Sequence, residues 1–182
     1  MREGHEGLSI RKLAEEVGVS PGAPYHHFPD RRSLLTAVAL EGYAEMFRQT
    51  RADPSEFGQQ TEDPTAQAEV ALFNTFVNFI RFAGANPHMF TLMYESELVR
   101  PSLSPELAEA QEIGFQLLRR EVEQICGHMS DRERSIRMAT MWSAIFGYAM
   151  QFNRAMLRGF PLEPAPDELL SEVVRQAMRL LK

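Results

Sequence analysis

This chain is nearly free of cysteine, with one thiol, Cys126, in 182 residues. A single thiol excludes an internal disulfide framework and fits a reducing compartment, so a cytoplasmic location is expected. Long apolar runs are also missing. None approaches the ~20 residues that cross a bilayer, and the opening MREGHEGLSI is too polar for a signal peptide, so no membrane partner is expected. Positive charge is in short supply: 19 Lys and Arg against 25 Asp and Glu leave a net charge of −6. That balance argues against coating nucleic acid through bulk charge. Period-2 alternation, internal repeats and low-complexity tracts are absent. His5, His88 and His128 show no i, i+4 pairing, and His26 and His27 are adjacent and so point to different faces. No metal site and no cofactor are expected.

What the chain has is 44% apolar residues in helical spacing, enough to bury a core and build one or two domains. The expected fold class is all-α. The most organised stretch is SIRKLAEEVGVSPGAPYHHF, residues 9–28. Ile10, Leu13, Ala14 and Val17 fall at i, i+3, i+4 and i+7, one apolar stripe on a helix that Ser9 can cap through its hydroxyl. Gly18 can close that helix in the left-handed conformation, with Val19 folding back. Ser20 and Pro21 then read as the cap and first residue of a second helix, ended by Pro29 acting on Phe28. Pro24 deletes that helix's first internal hydrogen bond, to Ser20. Two helices on a glycine turn match the plan of a DNA-binding helix-turn-helix.

Those residues resemble the N-terminal motif of TetR-type transcriptional regulators. The resemblance rests on Ala14, the Gly18-Val19-Ser20 turn, Tyr25-x-His27-Phe28 and the basic Arg31 three positions on, about a fifth of the chain. It implies that Tyr25, His27 and Arg31 contact phosphate and that Arg11 reaches a base or the backbone. The small start of the second helix, Ser20-Pro21-Gly22-Ala23, lets backbone approach base edges, and His26 projects differently from His27 and is a further base reader. A non-DNA helical hairpin, with Tyr25 a core aromatic, is the bland alternative. In such regulators another helix precedes the motif. Only Met1–Gly7 stand here, so a frayed N-terminus is expected. Residues 1–51 hold seven Lys/Arg and seven Asp/Glu, so any DNA contact must be a local patch.

Beyond the motif, Asp30 should cap a helix to about Arg51, with Leu34, Leu35, Val38, Tyr43 and Phe47 inside. A polar loop from Asp53 leads to the most apolar helix, 64–85, expected to lie centrally with Asn74, Asn78 and Arg81 as its polar side chains. Asn86-Pro87 opens a short helix and Ser104-Pro105 another. Ser130-x-x-Glu133 is a capping box for a long helix to about Gly159, carrying Phe152, Met156 and Leu157 on its apolar side. Pro161–Pro166 reads as a stiff linker and Asp167 as the start of the last helix. The domains are therefore expected at 1–51 and 64–182.

In the resembled family the second half encloses an effector and the last two helices pair subunits. Candidate lining residues are Phe73, Phe76 and Val77, then Met89, Phe90, Met93 and Tyr94, then Phe115, Trp142 and Phe146. Ten methionines and twelve phenylalanines suit a small apolar effector, although such a stripe also describes plain core. Trp142-x-x-x-Phe146-Gly147 resembles the Trp-x-x-x-His-Gly signature of one effector class, with Phe replacing the polar His. The expected partners are a palindromic DNA duplex, an apolar small molecule and a second copy of the chain. A DNA-incompetent ligand-binding dimer is a second reading. A small helical enzyme is a third, against which the pocket stretch offers no nucleophile–base pair or carboxylate cluster: Glu95 and Glu97 flank the short helix with no nucleophile or base in the sequence to act with, and no catalytic residue is expected.

Overall fold

Capping residues decide where most helices of this chain begin. The computed structural model describes residues 9–52, 62–159 and 166–182. Among those residues stand seven α-helices and no strand: α1 (Ile10–Glu16), α2 (Arg31–Ala52), α3 (Pro64–Ala85), α4 (Pro87–Glu95), α5 (Pro105–Cys126), α6 (Asp131–Asn153) and α7 (Pro166–Met178). The all-α expectation is borne out. The expectations placed on Met1–Gly7, on most of the loop after Asp53 and on the linker from Pro161 lie outside the described residues.

Asp30 opens α2: its Oδ1 accepts the Ser33 N–H at 2.8 Å and its carbonyl accepts the Ser33 hydroxyl at 2.7 Å. The Ser33 N–H holds the Asp30 carboxyl below the usual carboxylate range. Asp63 caps α3 by accepting the Thr65 N–H at 3.0 Å, and Ser104 caps α5 by accepting the Leu107 N–H at 3.3 Å. At α6 the capping box is complete. Ser130 Oγ accepts the Glu133 N–H at 3.4 Å, and Glu133 Oε2 accepts the Ser130 N–H at 3.2 Å.

Three local expectations need correction. Ser9 occupies the cap position of α1 in extended conformation, but its side chain makes no capping hydrogen bond. Val17 leaves the apolar stripe and is 65% exposed, because α1 ends at Glu16 and the chain turns at that point. The long helix α6 stops at Asn153, not near Gly159. Ala155 takes φ +53, and Met156–Gly159 form a 3-10 turn. Phe152 and Met156 are 40% and 61% exposed, so no buried face rewards further helix there, and Asn153 is instead tied through Nδ2 to the Pro87 carbonyl at 3.4 Å.

The described residues belong to two compact units. One takes Met1–Glu45 with His88–Gln111, the other Met46–Pro87 with Glu112–Lys182. In the first, Ile10, Ala14, Leu35, Ala39, Phe90, Met93 and Leu107 are buried. Gly42 of α2 is needed there for close approach: a Cβ on it would stand 2.6 Å from Met93 Sδ and 2.8 Å from Met89 Sδ of α4. In the second, α3 packs against α6 and α7. Ten residues of α3 are buried, Phe76 and Ile80 completely, which fits its near lack of a polar face. Each fully buried large side chain contributes about 1.5–3 kcal/mol by leaving water. Cys126, at the end of α5, is also fully buried and donates its thiol to the Leu181 carbonyl at 3.1 Å.

Candidate functional site

The first unit carries the turn that the sequence singles out. Gly18 adopts φ +74, and two bonds close α1 behind it: Val19 N–H to Ala14 carbonyl at 2.9 Å and Gly18 N–H to Glu15 carbonyl at 3.1 Å. This six-to-one and five-to-two pairing is the Schellman closure, which needs a left-handed residue and so favours glycine.

The segment after this turn is not the α-helix expected from Ser20 and Pro21. Residues Ala23–His26 form one 3-10 turn capped by Gly22, with no side-chain capping bond. Pro24 supplies the reason. It has no N–H to give the Ser20 carbonyl, which accepts the Ala23 N–H at 2.9 Å, and Tyr25 N–H goes to Gly22 at 3.1 Å. The Pro24 carbonyl then receives His27 at 3.0 Å and Phe28 at 2.8 Å, which closes the segment before Pro29.

Along this segment Ser20, Pro21, Gly22, Tyr25, His26 and His27 are exposed, as is Arg11 on α1, while Ala23 is half-buried. Tyr25 is 46% exposed. The His27 ring lies 6.5 Å from that of Phe28, which is half-buried. A Cβ on Gly22 would meet nothing within 4 Å, so open space faces the turn. Arg31 is half-buried at the start of α2, whereas Arg32 beside it and Lys12 on α1 are exposed. Arg32 and Lys12 were not singled out from the sequence. The Arg31-Arg32 doublet was the available signal, but position alone does not say which of two adjacent cations faces water.

The aromatic residues fall into separate groups. In the second unit Trp142 gathers Phe79 at 5.0 Å, Phe146 at 5.9 Å, Phe115 at 6.2 Å and Phe76 at 6.3 Å between ring centroids. Trp142, Phe115 and Phe146 are only half-buried, while Phe76, Val77 and Phe79 are buried. Phe79 is the nearest ring to Trp142 and was absent from the sequence-based lining. Its i+3 spacing from Phe76 was the signal. The Arg175 guanidinium lies over the Phe73 ring, 5.4 Å from its centroid.

The first unit holds Met89, Phe90, Met93 and Tyr94. Phe90 lies 4.8 Å from Tyr94, and Tyr94 lies edge-on to Tyr43 at 5.8 Å. Gln111 Nε2 donates to the Tyr43 hydroxyl at 3.0 Å. Burial pushes both phenols up, Tyr94 strongly, so both remain neutral hydroxyls at physiological pH. Among the described residues no group of three or more His, Cys, Asp or Glu gathers closely enough to hold a metal ion. No helix among them is long and apolar enough to cross a membrane.

A helix closed on a left-handed glycine and followed by an exposed 3-10 turn stands where the sequence predicts a helix-turn-helix. Two family descriptions match this chain: "Bacterial regulatory proteins, tetR family" over residues 1–38 and "Tetracyclin repressor-like, C-terminal domain" over residues 72–177. The chain belongs to the TetR family.

Among curated relatives, the HTH-type transcriptional repressor AcnR of Corynebacterium diphtheriae is 49% identical over 43 residues, 24% of this chain and 23% of that protein. The tetracycline repressor protein class A from transposon 1721, of Escherichia coli, is 50% identical over 42 residues, 23% of this chain and 19% of that one. The matched stretch thus spans under a quarter of these relatives' own length. Among solved structures, the TetR family transcriptional regulator PfmR from Thermus thermophilus superposes with a TM-score of 0.69 over 98% of this chain and 91% of its own, at 17% identity. That likeness is one of fold.

Proposed function

We propose that this chain is a ligand-responsive transcriptional regulator, a repressor that binds a palindromic operator as a dimer, and not an enzyme. The observation that carries the reading is the exposed set Tyr25, His26 and His27 on a turn pivoted at Gly18, inside the stretch that matches the family. In this reading residues 1–51 read DNA. Tyr25, His27 and Arg31, joined by the exposed Arg32 and Lys12, contact phosphate, while Arg11, His26 and the Ser20–Ala23 backbone face the bases. Residues 64–182 hold an apolar effector against Trp142 and its aromatic neighbours and pair two subunits through α6 and α7. Pairing sets the readers one helical turn apart on DNA, about 34–36 Å. Effector binding shifts the population towards a spacing that no longer fits the operator. Such a regulator works in the cytoplasm.

The test is titration of the chain into a labelled duplex carrying an inverted repeat from its own upstream region, at several salt concentrations. A steep loss of affinity with salt and a further loss in Tyr25→Phe support the reading. Trp142 is the only tryptophan, so its fluorescence reports effector binding directly. One observation favours a DNA-incompetent ligand-binding dimer instead: the reading segment is a single 3-10 turn. Trp142 quenching by apolar compounds, with no duplex binding at low salt, decides for that alternative.

A further inference from the structure

The end of α7 is basic on one side. Arg175 lies in the last turn of α7, and Arg179 and Lys182 follow in and after the 3-10 turn Arg179–Leu181. With Glu69 and Phe73 of α3 and Met178 of α7 they line an open cleft of about 420 Å³ in the second unit. That volume lies within the ~300–1,000 Å³ of small-molecule sites. Phe73 and Met178, backed by Ile125 of α5, give the cleft an apolar floor. None of these residues belongs to the cluster around Trp142.

We propose that this cleft binds an amphipathic organic anion, a carboxylate with an alkyl or aryl body, held head-on by Arg175, Arg179 and Lys182 over the Phe73 ring. Arg175 already lies over that ring at 5.4 Å, so its cationic face is set beside the apolar floor. Its NH1 is 3.9 Å from Glu172, a loose pairing between half-exposed side chains. Arg179 gives one donor to Gln176 Oε1 at 3.0 Å, out of the five a guanidinium carries. Lys182 pairs with Glu69 at 3.2 Å, with side chains 67% and 36% exposed. An ion pair so open is worth about 0–1 kcal/mol, and a ligand carboxylate can take the place of Glu69. The helix dipole alone accounts for cations at the end of α7 but not for an apolar floor beneath them.

The site does not rest on the DNA-reading proposal, although it shares α7 with the subunit pairing proposed there, and its test reads binding only. The full chain, labelled with carbon-13 at the methionine methyls, is titrated with octanoate, 1-octanol and inorganic phosphate. Saturable movement of the Met178 methyl by octanoate is expected, at least about tenfold weaker with octanol and in Arg175→Gln/Arg179→Gln. The other methyl resonances report whether the double variant is folded, and Arg179→Gln alone, an exposed single change, gives a weaker loss in the same direction. Equal affinity for octanol, equal affinity for phosphate, octanoate binding undiminished in the variants, or shifts confined to Met89, Met93 and Met141 each overturn the proposal.

Discussion

At Gly18 a side chain has room but no permitted backbone. A Cβ there meets nothing within 4 Å, yet φ is +74. Gly18→Ala should therefore destabilise the chain by about 1–2 kcal/mol through the backbone alone, measurable as a lower urea midpoint with an unchanged slope. Tyr25→Phe should leave stability alone and act on binding. Removing one exposed hydroxyl leaves the thermal midpoint in place and weakens operator binding by about 1.5–3 kcal/mol, the worth of a hydrogen bond to a charged phosphate.

Glu133 carries a pH dependence. The Ser130 side chain and N–H hold its carboxyl below the ordinary range. A depressed carboxyl stabilises the fold above its unfolded pKa, and that stabilisation is lost as pH falls through its lower folded value. Denaturation at a series of pH values should thus show a drop on acidification below the usual glutamate range that shrinks in Glu133→Gln. Gly18 was readable in the sequence because it is the glycine directly after an apolar stripe. The exposure of Val17 was not, since helical spacing continues on paper beyond the residue where the helix ends.

Among elements, the 3-10 turn Ala23–His26 owes its form to one residue. Pro24 withholds the N–H that would bond four residues back, and Ala23–His26 settle into a 3-10 turn. Pro24→Leu supplies that donor. Far-ultraviolet circular dichroism should gain roughly one helical turn, with no loss of thermal stability. At the start of α6, Ser130→Ala removes the capping box and should cost about 1 kcal/mol. The starts of α2, α5 and α6 were legible because Asp30, Ser104 and Ser130 write their own hydrogen bonds, whereas Ser9 carries the same signal and makes none. The end of α6 was not, because Ala155 is a strong helix former and its left-handed φ has no local mark in the sequence. The effector-half aromatics showed the same division. Spacing found Phe76, Trp142 and Phe146, but only packing showed Phe79 as the nearest ring to Trp142.

For the whole molecule, the proposed pairing makes the outward face of α6 decisive. Ile136 is 49% exposed, and Thr140, Ser143 and Ala144 are exposed along the same helix. Ile136→Glu/Ala144→Glu should convert a dimer to a monomer in sedimentation and abolish operator binding while leaving helicity intact. The cleft beside α7 had no signature in the linear chain beyond the run of cations after Glu172, since residues 69, 125 and 175 meet only through folding.

The sole thiol lends itself to measurement at this scale. Cys126 has no accessible surface, and burial pushes its thiol up, away from the reactive thiolate. A spin label offered to the unaltered protein should find nothing to attach to. A single cysteine introduced at Glu15, on the exposed side of α1, would then label each copy once against a silent background. Pulsed dipolar spectroscopy on that derivative turns the separation of the two helix-turn segments in the proposed dimer into a number.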